Sequence, residues 1–130
     1  MISINTIFLY GKYIRKLMIA MAQDVNNSVY PLAFVVVEEE SQSSWYWFLD
    51  CIKKYVTTLE GICIIFDRHT RIMSAIDAIL AIDDEDDDSL RPSNLYHWFC
   101  LRHVASNFNE RYHDKQLKNV IMRAGGANQL

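Results

Sequence analysis

Asp67, Cys100 and His103 are the side chains of this sequence whose types and settings could do chemistry. Asp67 closes Ile62–Phe66, a short continuous apolar run of the kind that forms a buried strand. Its carboxylate therefore stands where the chain leaves a sheet edge and faces a crevice. A helical pattern follows at once, and an aspartate in that place also serves as a helix N-cap. One side chain can do both. Cys100 and His103 form a C-x-x-H pair. Two ligands at that spacing can chelate zinc, but a structural zinc site takes four. His69, His97 and His113 are the histidines that would have to complete it. The other reading is that Cys100 packs as a small apolar residue while His103 hydrogen-bonds locally.

The remaining charges divide into two groups. Lys12, Arg15 and Lys16 lie in or beside an early turn, and Arg68, Arg71, Arg102 and Arg111 flank the region of Asp67. Such cations neutralise phosphates, although solubility alone explains any one of them. Asp24 falls in a turn where it would bond its own backbone, Glu38 ends a strand, and Glu110 reads as a helix-surface residue. The run Asp83–Asp88 lacks the spaced ligands and the turn glycine of a calcium loop. It reads as part of an acidic surface loop over residues 83–94.

With 130 residues, 51% of them apolar, the chain suits a single domain over residues 1–130. Its net charge of −3 does not by itself predict a nucleic-acid binder. Outside the acidic run, however, 10 acids face 13 Lys and Arg. The three cysteines, odd in number and irregular in spacing, come without a secretory signal, so a reduced intracellular compartment is expected. The apolar stretches, such as Pro31–Val37, are too short to span a bilayer, and no membrane partner is expected.

The elements that must position these side chains follow from periodicity. Ile2–Tyr10, Leu17–Gln23 and Val29–Val37 read as three strands, with turns at Gly11-Lys12 and at Asp24–Asn27. The short link between the second and third implies an antiparallel hairpin, and Pro31 sits near a strand start, where a missing N–H is tolerated. Ser43 or Ser44 can then cap a helix whose stripe is Trp45, Phe48, Leu49, Ile52 and Val56. Ile62–Phe66 is the fourth strand. A helix with Ile72, Ala75, Ile76, Ile79 and Leu80 on one face follows, then a strand at Tyr96–Phe99. A helix over Leu101–Tyr112 turns Val104, Phe108 and Tyr112 inward. Another begins at Leu117–Met122 and breaks up at Gly125-Gly126. Three antiparallel strands followed by alternating helices and strands predict an α/β fold with helices packed on a mixed sheet.

Five segments, in order, carry a family resemblance: LYGKY at Leu9–Tyr13, AQDVNNSVYPLAFVVVE at Ala22–Glu38, SWYWFL at Ser44–Leu49, IIFDRH at Ile64–His69, and FCLRHVASNF at Phe99–Phe108. Together they resemble the transposase domain of Mutator-like elements (MULE) from about residue 2 to about residue 124. The resemblance implies a ribonuclease H-like core that cuts and rejoins DNA with two Asp and one Glu, holding Mg²⁺ or Mn²⁺ for two-metal catalysis. It implies DNA and further transposase subunits as partners, and the nucleus as location. Asp67 matches the second acid and would be a metal ligand. Where such families read I-D-G-T-H, this chain reads Ile4-Asn5-Thr6-Ile7-Phe8, so Asn5 occupies the first acid's position. The third acid is expected on a helix past Leu130, because Glu110 lies too close to Arg102-His103 to match. Cys100 and His103 match a C-x-x-H signature between the second and third acids. Lys12, Arg15, Lys16 and Arg68 are the candidate DNA contacts. The expectation is a transposase-derived core, C-terminally incomplete and inactive as it stands. The alternative is a domesticated, non-catalytic DNA-associated or regulatory protein.

Overall fold

A computed structural model describes residues 1–57, 61–81 and 95–126. The predicted acidic loop at 83–94 lies outside them. Three strands come first: β1 (Ile2–Leu9), β2 (Arg15–Gln23) and β3 (Val29–Val37). They form an antiparallel meander, with β1 and β2 paired from Ile2↔Ala22 to Leu9↔Arg15. The second turn is held as the sequence predicts. Asp24 Oδ1 accepts from the backbone N–H groups of Asn26 and Ser28, both at 2.8 Å, and Asn27 takes the left-handed conformation. The β2–β3 ladder shifts register between Ala20 and Met21, where Met21 pairs with Pro31. A proline lacks a ladder donor, and a bulge on an edge strand accommodates it.

The chain then alternates. Helix α1 (Gln42–Cys51) widens into a π-helical turn over Ile52–Val56, strand β4 (Ile62–Phe66) follows, then helix α2 (Thr70–Leu80) and strand β5 (Leu95–Phe99). The five strands form one mixed sheet in the order β3-β2-β1-β4-β5, with β1–β4 and β4–β5 parallel. Alternate residues of three strands bury one face of it: Ile2 and Ile4, Met18 and Ala20, Ile64 and Phe66. Against them lie Trp45, Phe48, Leu49 and Ile52 from α1 and its π turn, and Ile72, Ala75, Ile76 and Ile79 from α2. Both predicted stripes are therefore the core-facing stripes, with Val56 and Leu80 packed at their margins. The cap of α1 is Ser41 rather than Ser43 or Ser44. Ser44 instead supplies the returning half of a capping box, with Ser44 N–H donating to Ser41 Oγ at 3.0 Å and Ser41 N–H to Ser44 Oγ at 2.9 Å.

The other face carries a looser cover. Helix α3 (Leu101–Tyr112) ends at His113, whose left-handed backbone turns the chain, and Asp114 Oδ1 accepts from Gln116 and Leu117 N–H to start helix α4 (Lys115–Gly126). Two expectations are corrected here. The buried residue of α3 is Ala105; Val104 and Phe108 are only half-buried, and Tyr112 is exposed and stacks on Phe108 at 4.5 Å. And α4 does not break at Gly125-Gly126. A Cβ on Gly125 would fall 2.2 Å from Leu101 Cδ2, so this glycine lets the end of α4 close against the start of α3. No described helix is long and apolar enough to cross a membrane.

Glu40 is the only charged side chain buried with the core among the described residues. Its Oε1 accepts from Trp45 Nε1 at 2.9 Å, its Oε2 meets Lys16 Nζ at 3.4 Å, and its backbone carbonyl accepts from the Arg71 guanidinium. One residue thereby ties β2, α1 and α2 to the end of β3.

Two stability outcomes follow. Ile76→Ala, at a fully buried position, is expected to cost about 2–5 kcal/mol in urea unfolding, and Phe34→Ala, at a site 72% exposed, under about 0.5 kcal/mol. Equal losses would mean the core lies elsewhere. Glu40→Ala strands the buried Trp45 N–H at a cost of roughly 1–3 kcal/mol. Because Trp45→Phe removes that donor, the double variant should lose clearly less than the sum of the singles. Simple additivity would show that the two do not interact.

Candidate site at the carboxyl edge of the parallel strands

The parallel ladders determine what meets at this edge. β1 and β4 pair at Ile2↔Ile64 and Ser3↔Ile65. Continued by two residues, that register puts Asn5 abreast of Asp67. β4 and β5 pair through Phe66↔Phe99, and Cys100 N–H donates to Phe66 O at 2.7 Å. Cys100 therefore stands on the other side of Asp67. Asn5, Asp67 and Cys100, far apart in sequence, form one row that crosses the middle of β1 and the carboxyl ends of the parallel strands β4 and β5, and α/β sheets place their ligands at such strand ends.

Two concavities flank this row, and Asn5 lines both. The smaller, of about 190 Å³, is walled by Asn5, Thr6, Lys16, Glu40, Asp67 and His69. The larger, of about 460 Å³, lies under the α3–α4 hairpin and includes Asn5, Cys100, Arg102, His103, Ser106 and Lys118.

Asp67 is not the cap of α2. That position is His69, whose Nδ1 accepts from Arg71 N–H at 3.4 Å, while Asp67 uses only its backbone carbonyl, accepting from His69 N–H at 2.8 Å. The Asp67 carboxylate is thus left without a structural task, and its Oδ1 is buried with no hydrogen-bond partner. Asn5 Oδ1 accepts from the next backbone N–H, that of Thr6, at 2.8 Å. In the row the structure therefore offers one carboxylate and one neutral amide. Glu40 adds a second carboxylate to the crevice, but its oxygens already serve Trp45 and Lys16.

These residues do not fit a site for two divalent cations, which needs several carboxylates to balance the charge. No group of three or more His, Cys, Asp or Glu side chains able to hold a metal occurs among the described residues. The same finding bears on zinc. Cys100 and His103 do come together in the larger cleft, but the three candidate partners do not complete the pair. His69 caps α2 beside Glu40, and His97 packs against Phe66 and Phe99. His113 closes the far end of α3, roughly 15 Å along the helix from His103.

The predicted cations disperse. Arg15 pairs with Glu38 at 3.0 Å, and Lys16 is drawn into the Glu40 cluster and lies over the Phe8 ring. Lys12 lies over Tyr13 at the exposed hairpin tip, Arg68 is exposed, and Arg111 sits over Tyr112 at the distal end of α3. Arg71 is spent on the Glu40 carbonyl. Arg102 enters the larger cleft, where Lys118 joins it, as Lys16 enters the smaller. Lys118 escapes sequence reasoning because it lies on the last helix. The one signal for it is its place among the apolar residues of α4, next to Leu117 and one turn before Ile121 and Met122. Glu40 escapes because three consecutive Glu read as a solvated strand end. Its signal is Trp45, an indole N–H that needs an acceptor once buried.

Comparison with known proteins gives three findings. A chain in the cryo-EM structure of a simian T-cell lymphotropic virus intasome in complex with PP2A regulatory subunit B56 gamma is similar in structure, with a TM-score of 0.44 and 12% identity. The match covers 93% of this chain and 45% of that one, so the chain spans less than half of that neighbour. No curated protein matches the sequence. The family model of the MULE transposase domain matches residues 1–107, and the chain belongs to that family.

Proposed function

We propose that this protein is a transposase-derived catalytic core of ribonuclease H-like fold, that its partner is DNA, and that it does not cleave DNA by itself. Membership of the MULE transposase family supports the origin. The strand order β3-β2-β1-β4-β5, with three antiparallel strands and then two parallel ones, supports the fold. The observation that carries the functional reading is the row at the carboxyl edge. Asp67 has a buried carboxylate oxygen with no partner, at the place of the family's second acid, and beside it the first acid's place is filled by Asn5.

An amide oxygen can touch a metal ion but brings no charge. A pair of divalent ions balanced by so few carboxylates is unfavourable, because each uncompensated charge in a partly desolvated crevice is costly. Mg²⁺ or Mn²⁺ chemistry in the manner of the family is therefore not assigned to this chain. The second reading is a domesticated DNA-associated or regulatory protein that keeps the fold without the reaction. The engagement of Asn5 Oδ1 by Thr6 N–H favours it, since one of that oxygen's two acceptor sites already serves its own backbone. Nuclear location and assembly with further transposase subunits belong to the same proposal.

Two measurements test it. Incubated with supercoiled plasmid and either Mg²⁺ or Mn²⁺, the protein is expected to produce no nicked circles. Nicking that vanishes in Asp67→Ala would overturn the inactive reading. Asn5→Asp is expected to raise Mn²⁺ affinity by about tenfold or more in calorimetric titration, since it adds a second carboxylate beside Asp67 to attract the cation. The gain should vanish in Asn5→Asp/Asp67→Ala. An Asn5→Asp variant no tighter than the parent would mean the two positions do not share a site.

A further inference from the structure

The cleft under the α3–α4 hairpin has a composition that the acid row does not explain. Its walls include Arg102, His103 and Lys118, with Ser106 and Asn5 as neutral donors and acceptors, and no carboxylate among the described residues lines it. Neither Arg102 nor Lys118 has an ion-pair partner among the described residues, whereas Arg15, Lys16 and Lys54 all do. His103 Nδ1 is shielded from solvent and has no hydrogen-bond partner. A shielded polar atom left unpaired costs about 1–3 kcal/mol, so a binding partner there relieves a standing penalty.

We propose that this cleft binds a phosphate group. Arg102 supplies a planar fork of N–H donors matched to two phosphate oxygens, Lys118 a compact charge, and His103 a ring nitrogen donor when that nitrogen carries its proton. The first turn of α3 reinforces them. Its cap, Cys100, makes no side-chain cap hydrogen bond, so the leading backbone N–H groups stay open beside the three side chains. Phosphate fits better than a carboxylate because donors converge from two helices, and only a tetrahedral anion offers oxygens in several directions. A volume of about 460 Å³ exceeds what a lone ion needs and leaves room for an attached sugar. The C-x-x-H pair thereby gains a role without zinc: Cys100 starts the helix, and His103, three residues on, joins its donors.

The phosphate can come from a DNA backbone or from a free phosphate compound. Only the DNA source rests on the function proposed above, and the experiment separates the two. The full chain is titrated, without divalent metal, with a short fluorescent single-stranded oligonucleotide across a salt series. In parallel, the His103 ring resonances are followed by NMR during titration with inorganic phosphate. Arg102→Ala/Lys118→Ala is compared with Lys115→Ala/Arg123→Ala, which removes equal charge from α4 away from the cleft. Circular dichroism checks that both variants fold.

The expected result is binding weakened about tenfold or more in the cleft variant, with a salt slope smaller by about 0.7 for each phosphate that the variant no longer neutralises. The control should stay within about twofold of the parent. Inorganic phosphate should shift the His103 resonances, and the oligonucleotide should compete for them. Phosphate binding without oligonucleotide competition supports the cleft and sinks DNA as its source. Oligonucleotide binding identical in parent and cleft variant, with His103 unmoved by phosphate, overturns the cleft and leaves the DNA reading standing. Binding of neither overturns both.

Discussion

Everything at the functional edge depends on the register of two short parallel ladders. Parallel strands cannot be joined by a tight turn, so β1 meets β4, and β4 meets β5, only because intervening chain crosses a face of the sheet. A strand has a period of two, and a slip of one residue would exchange Ile4 and Phe66 for Asn5 and Asp67 in the core. Such a slip would bury a carboxylate in place of a phenyl ring. The apolar packing against α1 and α2 is thus what aims Asp67 outward.

The two faces of the sheet are built on different terms. The α1–α2 face is sealed by large side chains and fastened at its rim by Glu40, which answers an indole donor, an ammonium and a guanidinium at once. The α3–α4 face buries only Ala105 from its two helices among the described residues. A close glycine contact joins its two helices, and the Phe108–Tyr112 ring contact lies within α3, so no broad apolar stripe is buried there. A polar cleft can persist beneath it because little apolar surface is there to close it. The sheet's outer strands on this side remain apolar and uncovered at Phe34 and Val36.

Much of this was legible in the residues. Val29–Val37, Ile62–Phe66 and Leu101–Tyr112 have the predicted bounds, because continuous β-branched runs and a clear helical period leave few alternatives. The stripes of α1 and α2 were readable for the same reason. What failed were matters of one residue or of distant partners. The cap of α1 moved to Ser41, since several serines in a row offer equivalent hydroxyls and only the backbone decides among them. Asp67 yielded its expected cap to His69 because the chain runs two residues beyond the strand before turning into α2. The inward face of α3 shifted to Ala105, since its partner is mostly another helix and not the sheet. At the site, Asp67, Asn5, Cys100 and His103 could be named from segment order. Lys118 and Glu40 could not, as each gains its meaning from residues brought beside it by folding.

The Glu40 cluster has a consequence for how the molecule assembles in time. Its partners lie 24 residues before it and 31 residues after it in the chain, so it cannot close until the first hairpin, α1 and the start of α2 are all in place. The entropy cost of closing such loops grows only slowly with their length, so one side chain can brace distant segments at modest expense. The cluster thereby fixes the wall that Lys16 and Glu40 give to the crevice beside Asp67.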